Sequence, residues 1–397
     1  MSNRSPRLCM VVHSAFPADP RVAREARAAV AAGFVVDVVA TRAPGEPARE
    51  DVGGATVYRL PVSHVRGGGA FRMLIEYVGF TVLATVRVAT RAIRQRYDVV
   101  QVHNPPDFLI VAALVPKLLG ARVVLDLHDL STDMFSMRFG ASRLTAVAER
   151  VLRRIERFAF RISDLVITVH EPYRDELRRR GVPLDKSIVV LNSVDEALLP
   201  ADEPRPTRPP FRVVYHGTVT PHYGLDLLLE AFALISGDVP DATLQIYGEG
   251  DAVPELAAKA AALGVADKVE LTGVALAHAE VLKRVQGASV GVVPNLPTRL
   301  NRFALSTKLF EYVVLGIPVV AADLPTIRSH FDEHEIECFR AGDAQSLADA
   351  LRRVADDPDA ASLRARSARG RYEAAYAWKG QSAIYTNALS HLVGRDT

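Results

Sequence analysis

Residues 306–320 combine a polar helix start with two charged side chains, Lys308 and Glu311. Ser306 or Thr307 can cap a helix by accepting a bond from a first-turn N–H, and apolar residues then recur at helical spacing. The unpaired N–H groups and partial positive charge at such a helix start suit a phosphate. A carboxylate one turn further on can accept two hydroxyls, and phosphate beside vicinal hydroxyls describes a nucleotide. The alternative is an ordinary strand–helix–strand unit with a solvated lysine and glutamate.

The elements around this stretch predict a parallel sheet. Apolar runs at 289–294 and 319–322 indicate buried strands, and Gly316 and Pro318 end the helix between them. Further strand and helix patterns alternate from Arg212 onwards, which is typical of βαβ units. Residues 201–210 hold four prolines and no apolar period, so they indicate a linker.

A second βαβ series begins near the N-terminus, with strands at 7–13 and 34–40 and a helix opening at Asp19-Pro20. The first turn lacks G-x-G-x-x-G, so a dinucleotide fingerprint is absent. Arg21 and Glu25 stand four residues apart on that helix. They either form an ion pair, or Arg21 meets the phosphate of a bound ligand.

Histidines follow two strands of this first series, as His103-Asn104 and His128-Asp129. Ligands bind beyond the carboxyl ends of strands in open parallel sheets, so two such ends on adjacent strands indicate a site. A neutral imidazole there can hydrogen-bond a hydroxyl. The alternative is that both histidines are structural.

Composition gives further bounds on the chain. Its 397 residues carry a net charge of +2, but residues 1–195 hold 28 Lys and Arg against 20 Asp and Glu, so this half is basic and could face an anionic partner.

Two cysteines without zinc spacing and no signal-peptide pattern lead us to expect a reducing, cytoplasmic location. The longest weakly charged stretch, 73–86, is too short to span a bilayer. Residues 143–162 predict an amphipathic helix with an arginine stripe, which is either solvated or docks on an anionic membrane or a lipid diphosphate.

Several of these motifs resemble one family. The run STKLFEYVVLGIPVV is similar to the donor-site signature of the retaining nucleotide-sugar glycosyltransferases called group 1 or family 4, and FPADPRVAREA, VVQVHNPPDF and VVLDLHDL resemble other parts of those enzymes. The sequence departs from the family pattern at three positions. Phe303 replaces the first of two glutamates, and Thr218 and Tyr223 stand where an arginine and a lysine commonly grip the donor diphosphate. The resemblance then leaves the diphosphate to Lys308 and helix N–H groups, or to Arg299 and Arg302.

The resemblance implies an α/β fold of GT-B architecture, with two Rossmann-like doubly wound parallel-sheet domains facing a cleft. It divides the chain into an acceptor-binding domain at 1–198, a linker at 199–210, a nucleotide-sugar-binding domain at 211–375 and a helix at 376–397 that crosses back to the first domain. The expected catalytic residues are His128, Asp129, Lys308 and Glu311. The expected acceptor-binding residues are Ser14, Arg21, His103 and Asn104. The expected donor-binding residues are Gly217, Thr218, Tyr223, Tyr247, Gly248, Glu249, Gly273, Val274, Asn301, Leu305, Ser306, Thr307, Lys308, Leu309 and Glu311.

The implied reaction moves a sugar from a nucleotide-sugar to a glycan, lipid-linked or small-molecule acceptor, with retention at the anomeric carbon and without a metal or other cofactor. No nucleic acid partner is expected, and the location is cytoplasmic or peripheral at the inner face of a membrane. Two alternatives stay open. One is another GT-B enzyme, such as a nucleotide-sugar epimerase or a phosphorylase, and the other is a non-catalytic nucleotide-sugar-binding protein, which the three departures keep in play.

Overall fold

The computed structural model describes residues 4–62, 70–132, 135, 143–201, 210–298, 301 and 303–394. The chain divides into two compact units. The first comprises Met1–Asn192 and Lys379–Thr397, and the second comprises Ser193–Trp378. Most of the predicted linker, residues 202–209, lies outside the described residues.

The first unit is built on an eight-stranded sheet in the order β3-β4-β2-β1-β5-β6-β7-β8. All its neighbouring strands pair in parallel except β3 and β4, which are antiparallel. The central strands are continuous apolar runs because both faces of the sheet are covered. The strands are β1 (Arg7–Ala15), β2 (Val35–Thr41), β3 (Arg49–Val52), β4 (Ala55–Leu60), β5 (Val99–His103), β6 (Arg122–Asp126), β7 (Leu165–Thr168) and β8 (Ser187–Val189).

The second unit is built on a six-stranded, wholly parallel sheet in the order β11-β10-β9-β12-β13-β14. Two parallel-sheet α/β units confirm the predicted fold class. The strands are β9 (Arg212–His216), β10 (Thr243–Tyr247), β11 (Val269–Leu271), β12 (Val290–Val293), β13 (Val319–Ala322) and β14 (Glu337–Phe339).

The helices connect these strands and cover the sheets. They are α1 (Pro20–Ala31), α2 (Ala70–Gln95), α3 (Leu114–Leu118), α4 (Arg143–Ile162), α5 (Glu171–Arg179), α6 (Leu225–Ile235), α7 (Val253–Ala262), α8 (His278–Val285), α9 (Thr307–Val314), α10 (Pro325–Arg328), α11 (Ala344–Asp356), α12 (Pro358–Ala375) and α13 (Trp378–Leu392). The last helix is anchored in the first unit, where the fully buried Tyr385 hydroxyl donates to Gln101 at 2.7 Å.

Two local features differ from the sequence prediction. The sequence of residues 108–119, which Gly120 follows, predicts one helix, but Asp107–Ala113 is a 3-10 helix and only α3 is α-helical. Pro116 explains this, because proline cannot donate to the carbonyl four residues earlier and its ring clashes there. The sequence predicts a helix over about 71–96, and α2 has these bounds within one residue, but its segment Arg72–Gln95 has the length and composition to cross a membrane, whereas the stretch 73–86 alone is too short.

Candidate functional site

The predicted donor residues lie at the carboxyl ends of the second sheet. Loops after β9, β10 and β11 meet there, and β12 leads through residues 294–306 into α9. The loops are joined by backbone bonds, since Gly217 N donates to Tyr247 O and Val219 N donates to Glu249 O, both at 2.9 Å. Gly248 N donates to the Thr272 hydroxyl. This edge is where open parallel sheets bind ligands.

Glycine is required where these loops touch. A Cβ on Gly248 would lie 1.9 Å from the carbonyl oxygen of Gly217, and one on Gly250 would lie 1.9 Å from that of Val219. The φ of Gly248 is +155°, which side-chain-bearing residues rarely adopt. The sequence therefore brings two loop backbones into direct contact at the sheet edge.

Lys308 is the second residue of α9, its side chain is buried, and its amine lies against two aromatic rings, which together are called the aromatic box. The Nζ atom is 4.7 Å from the ring centroid of Tyr215 and 4.9 Å from that of Tyr223. It donates to the Ser306 hydroxyl at 3.0 Å. Burial lowers the pKa of Lys308 to about 8, although the Glu311 carboxylate acts in the opposite direction.

Ser306 is the N-cap residue of α9, but its side chain does not cap the helix. The sequence predicted that Ser306 or Thr307 would accept a first-turn N–H, and this is wrong for Ser306, whose hydroxyl accepts from Lys308 instead. The first-turn backbone N–H groups of α9 are therefore not taken up by the Ser306 side chain, and they lie beside a buried amine. Both features favour an anion at this position.

Glu311 lies one turn beyond Lys308 and is buried between two histidines. Its carboxylate oxygens are 3.0 Å from Nε2 of His216 and 3.1 Å from Nε2 of His278. Burial alone would raise the pKa of Glu311, but the two histidines outweigh it and hold that pKa well below its usual range. The carboxylate is therefore ionised and able to accept hydrogen bonds from hydroxyl groups.

The other predicted donor residues are divided between the surface and the interior. Thr218 and Val274 are exposed, and Tyr223, Gly248, Glu249, Gly273, Leu305, Ser306 and Thr307 are half-buried. Tyr247 and Leu309 are buried. The fully buried Asn301 donates to His222 O and Leu296 O at 2.8 and 2.9 Å, so its amide holds the loop before α9. Arg299 and Arg302 lie outside the described residues.

In the first unit, β5 and β6 are neighbours and bring the two predicted histidines together. Nδ1 of His103 is 3.1 Å from Nε2 of His128. Both nitrogens face Oδ2 of Asp126, at 3.0 Å from His103 and 3.4 Å from His128. His103 and Asp126 are fully buried, whereas the His128 side chain is 19% exposed. His128 is thus the member of this cluster that reaches solvent.

Arg21 lies in the same network. It donates to both oxygens of Asp126, at 3.0 and 2.7 Å, and to Val190 O at 2.9 Å. It also lies 3.3 Å from Glu25, so the ion-pair alternative describes its position. Burial and the neighbouring Asp126 charge raise the pKa of Glu25, while Arg21 outweighs burial and holds that of Asp126 well below its usual value.

The remaining predicted acceptor residues support the loops of this edge. The Asn104 amide accepts from His128 N at 2.7 Å and donates to Asp129 O at 2.7 Å, so it fixes the loop that carries His128. Ser14 donates to Asp19 at 3.1 Å. Asp129 is half-buried beside His128, and burial raises its pKa.

His103, Asp126 and His128 have ligand atoms within 4.8 Å of one another and could hold a metal ion. The bidentate guanidinium of Arg21 on Asp126 argues against that, since a second cation would have to share a buried carboxylate with it. The donor set therefore fits an internal hydrogen-bond network better than a metal centre.

Sequence reasoning missed Asp126, His216 and His278. Asp126 and His216 end strands β6 and β9, and a strand-end position was the available signal. His278 opens α8, far from Glu311 in sequence, and carried no such signal.

Two family models match the chain, one in each half. A model described as "Glycosyl transferase 4-like domain" matches residues 18–193, and one described as "Glycosyl transferases group 1" matches residues 210–357. A glycogen synthase of Mycobacterium tuberculosis (strain ATCC 25618 / H37Rv) is 27% identical over 289 residues, which is 72% of this chain and 66% of that protein, just under two thirds of its length. An alpha-D-kanosaminyltransferase of Streptomyces kanamyceticus is 26% identical over 65% of this chain and 69% of its own.

Solved structures share the fold at low identity. Sucrose-phosphate synthase from Thermosynechococcus elongatus has a TM-score of 0.74 at 19% identity and covers 98% of this chain and 99% of its own. The catalytic domain of starch synthase IV from Arabidopsis thaliana, bound to ADP and acarbose, has a TM-score of 0.71 at 15% identity and covers 98% and 100%. A putative UDP-N-acetylglucosamine 2-epimerase from Listeria monocytogenes has a TM-score of 0.65 at 13% identity and covers 99% and 100%. The fold alone therefore does not separate transferases from epimerases.

Proposed function

We propose that this chain, which belongs to the GT-B glycosyltransferases through both of its matched domains, moves a sugar from a nucleotide-diphosphate donor to a hydroxyl acceptor. The observation that carries the proposal is the start of α9, where an uncapped helix end, a buried amine and an ionised glutamate lie within two turns. The acceptor is a glycan, a lipid-linked saccharide or a small metabolite.

The diphosphate binds at the first turn of α9 in this proposal. Lys308 has a pKa of about 8 in its buried box, so it is protonated at neutral pH and a phosphate beside it favours that charged form further. Tyr223 stands where the family commonly has lysine, and its ring lies against the amine. The charge on the departing diphosphate is then met by Lys308 and by helix N–H groups, both held in place before the reaction.

The ribose is assigned to Glu311. Its ionised carboxylate can accept the two vicinal hydroxyls, and His216 and His278 hold it at 3.0 and 3.1 Å. The base is assigned to the backbone at Gly273 and Val274, beyond β11. Solved structures of similar fold are complexes with UDP and glucose or with ADP and acarbose, which supports a nucleotide-sugar donor.

The transfer proceeds with retention. The bond from the anomeric carbon to the diphosphate oxygen breaks, a bond from that carbon to the acceptor oxygen forms on the same face, and the acceptor proton passes to the leaving diphosphate. This route needs neither a metal nor an enzymic nucleophile. His128, whose Nε2 atom faces His103 and Asp126, hydrogen-bonds a sugar or acceptor hydroxyl through its other ring nitrogen.

The proposal places the protein in the cytoplasm, with peripheral membrane contact through Arg143–Ile162 when the acceptor is lipid-linked. The arginines of α4 are exposed at 150, 153, 154, 157 and 161 and suit anionic headgroups or a lipid diphosphate.

A nucleotide panel tests the proposal. The melting temperature of the full chain is measured with UDP, GDP, ADP or dTDP and with the corresponding sugar nucleotides. Slow hydrolysis of each sugar nucleotide is measured as the amount of free nucleotide released. A ligand at a hundredfold excess over its Kd adds about 2.7 kcal/mol of stability. We expect one nucleotide class to stabilise the protein, Glu311→Gln to lose that effect, and Glu280→Gln, an exposed glutamate on α8, to keep it.

His128→Ala separates catalysis from binding. A transferase loses turnover while its nucleotide-induced stabilisation is unchanged, whereas a non-catalytic binding protein shows no turnover to lose. Wild-type protein that shows neither stabilisation nor hydrolysis with any donor would refute the proposal.

A further inference from the structure

Helix α2 carries an apolar stripe on its outer side that the fold of the first unit does not cover. The stripe consists of Ile75, Val78, Val82, Val86 and Ile93, which are between 47% and 69% exposed. Their spacing of three, four, four and seven residues places them on one face of the helix. At 1.5 Å per residue the stripe is about 27 Å long.

The opposite side of α2 already supplies the packing surface of this helix. Phe80, Ala84, Val88 and Ala92 are fully buried. The exposed stripe is therefore additional to the face that holds the helix in the unit. Soluble proteins rarely expose a contiguous apolar patch of this kind without a binding role.

The exposed charges on α2 and α4 have one sign. Arg72, Arg87 and Arg94 are exposed on α2. On α4, five arginines are exposed together with Val147, Val151 and Phe158. Among the described side chains of these two helices no carboxylate is exposed, because Glu76 and Glu149 are partly covered and paired with arginines and Glu156 is buried.

Helices α2 and α4 both pack against the segment Asp107–Ala113 of the first unit. Helix α2 joins β4 to β5 and α4 joins β6 to β7, so both crossovers run in the same direction across the sheet. Right-handed crossovers place such helices on the same face of a sheet, so the apolar stripe of α2 and the basic, partly apolar face of α4 lie on one side of the first unit. A face that combines exposed apolar side chains with arginines matches the boundary between acyl chains and anionic headgroups.

We infer that the outer face of α2 inserts into the surface of an anionic lipid bilayer, with the arginines of α2 and α4 on the headgroups. The helix lies in the plane of the membrane and does not cross it, because its other face is part of the protein core. A second copy of this chain fits the same face poorly, since it would bring arginines of both copies together. The inference goes beyond the α4 contact proposed above and does not depend on glycosyl transfer.

Vesicle flotation with the full-length chain tests the inference. Vesicles of phosphatidylcholine alone are compared with vesicles containing equal parts of phosphatidylcholine and phosphatidylglycerol, at 0.1 and 0.5 M salt. We expect binding to the anionic vesicles only, weakened by salt. Each arginine near an anionic surface is worth about fivefold in affinity.

Two variant sets separate insertion from electrostatics. Val82→Glu/Val86→Glu should lower binding to anionic vesicles by roughly tenfold or more, because two carboxylates would have to enter the interface. Leu363→Glu, a change at a 60% exposed leucine on α12 of the second unit, is the matched control and should bind as wild type. Arg150→Gln/Arg154→Gln should weaken binding and reduce its salt dependence. Thermal unfolding confirms that each variant is folded.

Four outcomes would overturn the inference. They are failure of the wild-type chain to float with anionic vesicles, equal binding to neutral vesicles, unchanged binding of Val82→Glu/Val86→Glu, and self-association that this double variant abolishes while no vesicle is bound. Because nucleotide-induced stabilisation and donor hydrolysis are measured without lipid, failure here is distinguishable from failure of the proposed function.

Discussion

Replacing Lys308 with methionine should make the protein more stable at neutral pH while it loses donor binding. Burial lowers the pKa of Lys308 from 10.5 to about 8, so the unfolded chain binds this proton more tightly than the folded protein does. The difference corresponds to a penalty of roughly 3 kcal/mol at pH 7. Methionine has similar length and carries no charge that burial penalises.

Two contacts reduce the expected gain. The rings of Tyr215 and Tyr223 attract the ammonium, and the Ser306 hydroxyl accepts from it at 3.0 Å. A cation–π contact contributes about 0.5–2 kcal/mol. We therefore expect Lys308→Met to raise the free energy of unfolding by about 1–3 kcal/mol at pH 7.

The pH dependence gives the sign of the effect. Between pH 8 and 10.5 the unfolded chain holds the proton and the folded protein releases it, so wild-type stability rises with pH across that window. The advantage of Lys308→Met should shrink over the same range, because the wild-type penalty disappears. Below pH 8 the difference should be constant.

Urea unfolding at pH 7, 8, 9 and 10 measures this difference, and Lys283→Met, at an exposed lysine of α8, is the control. A variant that is less stable than wild type at every pH would show that burial of the Lys308 ammonium does not lower the free energy of unfolding. A variant that is more stable but still stabilised by nucleotide would refute the assignment of the diphosphate to Lys308.

Three further changes test other parts of the structure. Asp126→Asn removes the carboxylate that accepts two hydrogen bonds from the buried Arg21 guanidinium and leaves Glu25, at 3.3 Å, as its other carboxyl partner. The change should cost about 3–5 kcal/mol in urea unfolding, and a cost below about 1 kcal/mol would contradict the pairing. Gly248→Ala places a Cβ 1.9 Å from Gly217 O and should lower the melting temperature by more than Gly287→Ala does. At Gly287 φ is also positive, but no atom lies within 4 Å of the added Cβ. Equal losses of melting temperature would mean that backbone strain at positive φ, and not the close contact, causes the destabilisation. In the folded protein the histidines hold the pKa of the Glu311 carboxyl low, so its contribution to stability is present above pH 4.5 and is lost as pH falls. Glu311→Gln should remove this contribution. A variant whose free energy of unfolding falls with decreasing pH as that of wild type does would show that Glu311 does not contribute.

The elements that could be predicted from sequence are those with a strong local pattern. Strand β13 and helix α4 have the predicted bounds, because each is an apolar pattern bounded by proline or polar residues. The proximity of His103 and His128 followed from two strand ends on neighbouring strands of a parallel sheet. Strand β3, whose sequence is Arg-Glu-Asp-Val, has no apolar run and forms by pairing with β4, which local reasoning does not see.

The contacts that determine which site residues are ionised could not be predicted from local sequence patterns. The pattern at Ser306 is the same whether its hydroxyl accepts from a backbone N–H or from Lys308, and only the position of the amine decides between them. The partners of Glu311 lie on β9 and α8, which are distant in sequence. Tertiary structure therefore decides which residues of a recognised motif are ionised and which are paired.

The Arg21–Asp126 cluster of the first unit and the Lys308 cluster at the start of α9 differ in how many of their polar groups have hydrogen-bond or ion-pair partners within the protein. In the first unit Arg21, Asp126, Glu25 and Gln101 form a buried network, with Gln101 donating to Glu25 at 2.7 Å and accepting from Tyr385. A change there leaves a buried partner unmatched, so its first effect is on stability. At the start of α9 the amine is held at a pKa below its ordinary value beside an uncapped helix end, so an anion would complete the site. Substitutions in the first cluster should therefore lower stability, whereas the substitution of Lys308 should raise stability and abolish binding, which is the pattern that separates a structural network from a ligand site.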